Sequence, residues 1–435
     1  MFNGRQIKCL FMFVSITMLL VLASRQAHGK PNWSPPPPPL VVGTCLGASP
    51  YTTIQSAVSA APSGGTVLVC PGTYPEQVTI TQPLNLKGVQ AGNMDAAVVT
   101  SPAGGVVFNL TNFTHGLPAA AQVLVQNTTG VNISNLTVDG SGNLLPACST
   151  PLTAYLVGIY YQDASGRVDS VATRNQTSST CYGIGIYGET GGSATAKLEI
   201  FNASVHSYGS GGIVANQPGV TARIVGNSVV GLGPTAPLFQ NGIQVGFGAL
   251  GDVEGNTVID NVAPYASVFQ SVGIYIVYSS GAKVANNTVG PTNYGILTGS
   301  GSGAPADYAT IIGNTVLATH NAGYTSDVGD AIDVCSNNNF IVGNNLYASD
   351  ESGIHLDSTC GSTGNNNVVG RNTINEACAG ILADTTTTGN TVKPDNLFFN
   401  DVNTLLSADG CYPGVFPDPP AAGAGAPAHG GLNTN

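Results

Sequence analysis

The phrase IVGNSVV, at residues 224–230, decides the fold because close variants of it return at regular intervals. The variants VEGNTVI, VANNTVG, IIGNTVL, IVGNNLY and VVGRNTI begin at positions 253, 284, 311, 341 and 368. Their shared asparagines, spaced by 29, 31, 27, 30 and 28 residues, are Asn227, Asn256, Asn287, Asn314, Asn344 and Asn372. A period of about 20 to 50 residues indicates a solenoid, a propeller or another repeat array.

A second phrase lies between these asparagines and consists of a glycine followed by alternating apolar residues. It reads GIQVG from Gly242, GIYIVY from Gly273 and GIHLD from Gly353. Each repeat therefore holds at least two strands and has no room for a long helix. This pattern predicts an all-β protein, a single parallel β-helix, since a WD propeller blade needs roughly 40 to 45 residues. The recurring asparagine suits a turn, and stacked asparagines can bond amide to amide along the axis.

The ends of the chain differ in composition from the repeats. Residues 1–29 predict a signal peptide, with basic residues before an apolar run that is shorter than the roughly 20 residues of a membrane span; an uncleaved anchor is the alternative. Residues 30–44 hold five consecutive prolines and predict a linker. Residues 45–405 form the predicted β-helix domain, opened by a capping helix near residues 51–61 with Thr52 or Thr53 as N-cap. Residues 406–435 are rich in Gly, Ala and Pro and predict a disordered tail.

Charge limits the classes of partner. Only 8% of residues are charged and the net charge is −11, with twelve basic residues in the whole chain. Nucleic acid is not an expected partner, because phosphate binding needs Lys and Arg. A polysaccharide is the expected partner, either neutral or anionic and bridged by a cation. We expect a secreted, periplasmic or cell-surface protein with no membrane contact after signal cleavage; the oligomeric state stays open.

Cysteine count supports export. Eight of the nine cysteines lie after the signal, and an even number in an exported chain suggests disulfides. Pairing in sequence order is the simplest of the 105 possible arrangements, because each separation then approximates one repeat. The eight are Cys45, Cys70, Cys148, Cys181, Cys335, Cys360, Cys378 and Cys411.

Ionisable residues gather near the C-terminal repeats. Alignment of the second phrase places Asp333, His355 and Leu382 in one outward column, and Cys335, Asp357 and Asp384 in another, because side chains alternate along a strand. Paired carboxylates can act as acid and base or can bind Ca²⁺ through oxygen. The predicted catalytic residues are Asp333, His355, Asp357 and Arg371, and the predicted Ca²⁺ ligands are Asp330, Asp350, Glu351 and Asp384. The alternative is a solvated acidic face that keeps the solenoid soluble.

Tyrosines within the second phrase give another candidate site. Tyr160, Tyr275 and Tyr278 are predicted to bind substrate, because an aromatic ring with a polar tip suits a sugar. The alternative is that these rings pack in the core.

The stretch YTTIQSAVSAAPSGGTVLVCPGTYPEQVTI, residues 51–80, is followed by LNLKG. It resembles the opening of secreted right-handed β-helix proteins of the pectin-lyase-like superfamily, and especially the first coil of pectin methylesterases. The resemblance implies a right-handed parallel β-helix and an association with carbohydrate. It transfers no catalytic residue, since the VDFIFG, GHG-type and DPHD phrases of that superfamily's enzymes are missing from the sequence.

Three functional classes follow. The first is a lyase, hydrolase or epimerase acting on an acidic cell-wall or extracellular glycan. The second is a non-catalytic sugar-binding or surface protein, and the third a structural β-helix protein of the periplasm. The ionisable group around His355 favours the first class. The missing motifs and the shortage of basic residues favour the other two, because uronate sugars usually need cationic contacts.

Overall fold

The computed structural model describes residues 37–89, 94–145, 153–178, 182–192, 194–235, 239–263, 270–299, 306–320, 328–360, 363–399 and 402–407. Contacts separate a first unit, Met1–Pro37, from a second unit, Pro38–Asn435, and the fold below belongs to the second. The predicted signal peptide and all of the predicted tail after residue 407 lie outside the described residues. Within the described ranges, no helix has the length and apolar character that a membrane crossing needs.

Parallel strands stack into three ladders, and one turn of the chain contributes one strand to each. Val220–Val225, Ser228–Val230 and Asn241–Gly246 follow one another in sequence, and each pairs with its counterpart about one repeat later. This arrangement is a parallel β-helix, as the repeat period predicts. The second and third ladders join into one sheet of 23 strands, and the first ladder is a separate sheet of 13 strands.

The strands have the following bounds. The first ladder contains Leu40–Val42, Gly65–Val69, Leu84–Gly88, Val131–Ser134, Gly166–Asp169, Ala196–Phe201, Val220–Val225, Leu250–Glu254, Lys283–Ala285, Thr310–Ile312, Phe340–Val342, Val368–Gly370 and Thr391–Val392. The second ladder contains Gly72–Pro75, Ala97–Thr100, Thr137–Asp139, Ala172–Arg174, Ser204–His206, Ser228–Val230, Thr257–Ile259, Thr288–Val289, Thr315–Thr319 and Leu397–Phe399. The third ladder contains Val78–Ile80, Pro118–Gln126, Tyr155–Gln162, Tyr182–Glu189, Gly211–Asn216, Asn241–Gly246, Val272–Val277, Tyr294–Gly299, Ile332–Val334 and Val402–Ser407.

A few elements fall outside this simple order. Asn345–Leu356 and Thr373–Asp384 are long strands that run through the second ladder and then the third. Leu110–Thr111 pairs antiparallel with Pro118–Gln126. The helices are the α-helix Ile54–Ala60 and the 3₁₀ turns Met94–Ala96 and Gly233–Thr235.

The core lies between the ladders and is made of the inward side chain of each strand. Ile224, Val229 and Ile243 represent one coil, and all three are fully buried. Each such aliphatic side chain contributes on the order of 1.5 to 3 kcal/mol through removal from water.

The recurring asparagines form the amide ladder that the sequence predicts. The Nδ2 of Asn256 donates to the Oδ1 of Asn287 at 2.9 Å, and Asn287 donates to Asn314 at 2.9 Å in the same way. The ladder runs from Asn227 to Asn396. The ladder asparagines do not themselves take the left-handed backbone. That conformation belongs to the preceding residue, such as Gly255 at φ 64°.

The first coil explains the resemblance to esterases in structural terms. Thr53 caps the helix, and the carboxylate of Glu76 accepts the backbone N–H groups of Ile54 and Gln55 at 2.7 and 2.9 Å. The GTYPE phrase therefore anchors the capping helix. Residues Gly72–Pro75 of this phrase form a strand. The strand Leu40–Val42 lies inside the predicted linker and pairs with Gly65–Val69.

Two disulfides confirm part of the sequential pairing. They join Cys45 to Cys70 and Cys335 to Cys360. Cys378 is also disulfide-bonded. Cys148, Cys181 and Cys411 lie outside the described residues.

Candidate functional site

A column of side chains crosses the third ladder on the face opposite to the core. Adjacent strands hold these residues in register, about 4.8 Å apart. The column reads Tyr160, Tyr187, Val214, Gln244, Tyr275, Leu297, Asp333, His355 and Leu382. The predicted neighbours Asp333, His355 and Leu382 are confirmed as register partners. Two candidate sites lie on this column, one ionisable and one aromatic.

The ionisable site is a carboxylate–histidine cluster centred on His355. Its Nδ1 lies 3.5 Å from Asp330 Oδ2, and its Nε2 lies 3.2 Å from Asp384 Oδ1. The side chain of His355 is 1% exposed, and Asp333 and Asp357 are each 3% exposed. The cluster comprises Asp330, Asp333, Glu351, His355, Asp357 and Asp384. The structure thus brings five of the predicted carboxylates around one histidine.

Two flanking carboxylates make His355 a cation. Burial by itself lowers the pKa of His355, but the hydrogen bond to Asp384 and the carboxyl of Asp330 at 3.5 Å outweigh burial and hold the pKa well above its ordinary value. Burial raises the pKa of Asp384, and the bond to His355 together with the N–H of Ser358 reverses this, so the Asp384 pKa lies below its ordinary value. The ring of His355 is therefore protonated and Asp384 is ionised.

Asp333 and Asp357 differ from Asp384 because their pKa values are raised. Burial raises the pKa of Asp333 well above its ordinary value, and the charges of Asp357 and Asp330 raise it further. Burial raises the pKa of Asp357 to about 6, against the opposing effect of His355. One oxygen of each carboxyl lies within 4.8 Å of the other. Carboxyls this close do not ionise together easily, so one of the pair holds a proton at neutral pH.

The Cys335–Cys360 disulfide packs against this pair. Cys335 Sγ lies 3.3 Å from an oxygen of Asp333 and 3.3 Å from an oxygen of Asp357. Cys360 Sγ lies 2.9 Å from Asp357, whose other oxygen accepts the backbone N–H of Thr359. Disulfide sulfurs are not thiolates and do not ligate metals. The bridge therefore fixes the side chain of Asp357 instead of offering ligands to an ion.

Two predicted residues lie away from the cluster. Arg371 follows the first-ladder strand Val368–Gly370, its side chain is 77% exposed, and it lies 3.5 Å from Asp395. Its backbone φ of 55° fits the turn position that glycine takes in other repeats. The prediction grouped Arg371 with the carboxylates because its turn is close to them in sequence. That turn follows a first-ladder strand, whereas the cluster lies on the third ladder. Asp350 lies 3.6 Å from His320.

The predicted Ca²⁺ ligands do not surround one point. Asp330 and Glu351 lie on one side of His355, and Asp384 lies on the other with Asp357. A Ca²⁺ ion takes six to eight oxygen ligands. Because the protonated ring of His355 already occupies the position between the carboxylates, the donor set does not fit Ca²⁺ well.

The second site is an aromatic cleft further toward the N-terminus. It has a volume of about 290 Å³, and the rings that wall it belong to His115, Tyr155, Tyr182, Phe247 and Tyr278. The rings of Tyr155 and Tyr182 stack with centroids 4.7 Å apart, and His115 stacks on Tyr182 at 5.8 Å. An adjoining hollow of about 270 Å³ shares Tyr275 and reaches Tyr294 and Leu297, next to Asp333 in the column.

A buried carboxylate, Glu189, fastens one wall of the cleft. It accepts the backbone N–H groups of Phe113 and Thr114 at 2.6 and 3.1 Å and the hydroxyl of Tyr187 at 2.9 Å. These contacts hold the segment that carries His115 over the third ladder. Tyr160 also bonds to Glu189 and is fully buried.

The predicted sugar-binding tyrosines therefore separate into two groups. Tyr160 does not present its ring to a ligand in this structure, because the segment around Thr114 covers it. Tyr275 and Tyr278 are partly exposed and line the cleft.

Sequence reasoning missed most of the cleft. Tyr155 and Tyr182 are register partners, and alignment of YLVGIY with YGIGIY would have paired them. His115 comes from a segment without any repeat pattern, so the sequence carries no signal for it. Phe247 stands in a turn at φ 55°, where its side chain bends toward Tyr278.

Comparison with known proteins bears on the fold. No family model matches the chain, and no curated protein matches it in sequence. The Dettilon tailspike protein aligns with a TM-score of 0.55 and 17% identity over 85% of this chain and 68% of that chain. This chain is a right-handed parallel β-helix. The catalytic domain of a GH87 α-1,3-glucanase in complex with tetrasaccharides aligns on the same β-helix with a TM-score of 0.52 and 14% identity, over 86% of this chain and 70% of that one.

Proposed function

We propose that this β-helix protein cleaves glycosidic bonds in a polysaccharide that lies along the third ladder, with Asp333 and Asp357 as the reacting pair. The observation that carries the proposal is the pair itself: two buried carboxyls, one on a strand and one directly after the neighbouring strand, with oxygens within 4.8 Å of each other. Burial raises the pKa of both, that of Asp357 to about 6. Environments that drive two neighbouring carboxyls to different protonation states are the mark of an acid and its partner. The glucanase and the tailspike share only the fold, which alone does not decide function.

Each carboxyl has a defined task in this reaction. Neutral Asp333 gives its proton to the glycosidic oxygen as the bond from that oxygen to the anomeric carbon breaks. The carboxylate of Asp357 attacks the anomeric carbon and forms a glycosyl ester. Asp333, now ionised, then takes a proton from water, and the hydroxide oxygen displaces Asp357 to regenerate both groups. The short separation supports this double displacement, since retaining glycosidases hold their carboxyls about 5 Å apart and inverting ones about 6.5 to 9.5 Å.

His355 acts through its neighbours in this scheme. Its ring lies between Asp330 and Asp384, its positive charge stabilises ionised Asp384, and the ring holds its position beside Asp333. Glu351 and Asp330 lie next to His355 in the same cluster. These groups keep the local potential negative, which favours the positively charged sugar ring of a glycosidase transition state.

A hydrolase explains the charges better than a lyase or an epimerase. Those two reactions act on uronates and need a cation to neutralise the sugar carboxylate. Arg371 is on another ladder, and His355 is already paired with two carboxylates.

Substitution of the reacting pair tests the proposal. Asp333→Asn and Asp357→Asn should each lower the release of reducing ends from a responsive polysaccharide by at least about 10³-fold, because each removes a group that acts only in the transition state. The assay screens neutral and acidic polysaccharides with the full chain. Asp252→Asn, on a first-ladder strand beside Lys283, is the matched control and should retain full activity. Equal activity in the Asp333 and Asp252 variants would overturn the proposal.

A non-catalytic glycan-binding protein is the second candidate. The burial of Asp333, His355 and Asp357 favours it, because a substrate needs access to the reacting groups. The same screen separates the two functions. Binding of a polysaccharide without any new reducing ends would support this second candidate.

Export is part of the proposal. The two disulfides support an oxidising compartment, and the N-terminal sequence has the composition of a signal peptide. N-terminal sequencing of the protein recovered outside the cytoplasm should show cleavage close to residue 29.

A further inference from the structure

We infer that the aromatic cleft binds an uncharged sugar unit of the same glycan, at a distance from the reacting pair that only a chain of several sugar units spans. The catalytic part of this inference rests on the proposed function, whereas the binding part does not. Val214, at the floor of the cleft, is four strands from Asp333 in the column. At about 4.8 Å a strand, the separation is about 19 Å, which is longer than one sugar unit.

The lining of the cleft carries no formal charge. Among its described residues there is no Asp, Glu, Lys or Arg, and burial lowers the pKa of His115 despite the opposing charge of Glu189. His115 is therefore neutral at pH 7. The carboxylate of Glu189 lies directly behind Tyr187, on the wall side of the cleft. A uronate or sulfated sugar would meet this negative charge without a cation to offset it.

Basic side chains are segregated on other surfaces of the β-helix. The described part of the chain has eight lysine and arginine residues. Seven of them lie in first-ladder strands or directly after them: Lys87, Arg167, Lys197, Arg223, Lys283, Arg371 and Lys393. The eighth, Arg174, is bonded to Asp139 and Asp95. This distribution leaves the third ladder without a lysine or arginine for an anionic sugar, and its cation His355 already lies between Asp330 and Asp384, so the cleft selects against charge.

The cleft offers both kinds of contact that a neutral sugar uses. Tyr182 is partly exposed and His115 is exposed, so their rings can meet the apolar face of a pyranose, while the buried ring of Tyr155 stacks on Tyr182 and supports it. Amide groups meet the hydroxyls, since Asn216 and Gln244 line the cleft and already bond to each other at 3.0 Å. An amide both donates and accepts, which matches a hydroxyl.

Glu189 is a positioning residue for this site. It does not line the cleft, but its bonds to the N–H groups of Phe113 and Thr114 hold His115 in the wall. Bonds to an ionised acceptor are roughly twice as strong as neutral ones. Glu189→Gln should therefore weaken sugar binding.

The binding experiment uses the full chain with Asp333→Asn, so that no substrate is consumed. Calorimetric titration compares neutral glucan and galactan oligosaccharides with oligogalacturonate. We expect a neutral series to bind and oligogalacturonate not to bind. Tyr182→Ala should weaken neutral binding about tenfold, a loss of about 1.4 kcal/mol. Tyr308→Ala, which removes a tyrosine that is 64% exposed, is the matched control. Equal binding of oligogalacturonate, or unchanged binding by the Tyr182 variant, would overturn the inference.

Length dependence connects the cleft to catalysis. In the active chain, Tyr182→Ala should lower turnover of long chains and leave the shortest hydrolysed oligosaccharides unaffected, because remote binding energy is used at the reacting centre. Loss on long and short substrates alike would contradict a distal subsite. If neutral sugars bind but no chain is cleaved, the proposed function fails and the binding inference stands. If chains are cleaved and the Tyr182 variant behaves normally, only the inference fails.

Discussion

His355 holds a proton because two carboxylates flank its ring, although burial acts in the opposite direction. Asp333 and Asp357 also hold protons more tightly than free aspartates, mainly because of burial. A group with a raised pKa in the folded protein keeps a proton that the unfolded chain has released. Stability therefore falls as pH rises through the window between the unfolded and folded values.

This balance predicts the pH dependence of stability. The window opens at about pH 4, the ordinary pKa of Asp, and for Asp357 it closes at about pH 6. The raised pKa values of Asp333 and His355 extend the loss of stability to higher pH. Asp384 has a lowered pKa, so its contribution is lost in acid below about pH 4. Calorimetry should show a melting temperature that falls between about pH 5 and about pH 8, with a shallower fall in Asp333→Asn. A melting temperature that rises over this range would contradict the assigned protonation states.

Individual residues also show where sequence reasoning succeeded. The repeat spacing sets the register, so the pairing of Asp333 with His355 was predictable without any structure. Burial of the pair was not, because a repeat pattern does not reveal what packs on the outer face of the ladder, where the Cys335–Cys360 disulfide contacts Asp333. Tyr160 shows the same limit, since the covering segment around Thr114 has no periodicity that a sequence pattern reveals.

The remaining site predictions depended on which ladder each turn residue adjoins. Arg371 and Asp384 lie at opposite ends of the strand Thr373–Asp384, which passes from the second ladder to the third. A one-dimensional repeat gives the spacing of coils but not the ladder that a turn residue faces. The asparagine ladder was predicted correctly because it depends on spacing alone.

At the scale of elements, the Cys335–Cys360 bridge joins the strand Ile332–Val334 to the segment that follows Asn345–Leu356. The Cys45–Cys70 bridge encloses the same sequence separation, 25 residues, but lies in the first coil. The two bridges therefore form a matched pair for experiment. Chain entropy assigns each a stabilisation of about 3 kcal/mol.

The matched pair predicts a separation of stability from function. Cys335→Ser with Cys360→Ser and Cys45→Ser with Cys70→Ser should each lower the free energy of unfolding by about 3 kcal/mol. Only the first double variant should also lower the rate of glycan cleavage at a temperature where both remain folded, because its sulfurs contact Asp333 and Asp357. Denaturant unfolding and reducing-end assays measure the two effects. Equal activity in the two double variants would show that the bridge does not position the pair.

At the scale of the whole molecule, the β-helix distributes charge by ladder. Basic residues concentrate on the first ladder, and the third ladder carries the aromatic cleft, the adjoining hollow and the cluster around His355 in one line. Parallel stacking produces this line, because each coil advances the column by one strand. A long, uncharged chain with repeating units suits such a surface better than a compact ligand does.

The stereochemistry of the released sugar is the most direct test of double displacement by Asp333 and Asp357. Time-resolved proton NMR of the full chain acting on a responsive polysaccharide reports the anomeric configuration of the first product. Double displacement should give new reducing ends that keep the configuration of the cleaved bond and that disappear in Asp357→Asn. Inverted product, or no reducing ends from any polysaccharide of the screen, would contradict a double displacement by Asp333 and Asp357.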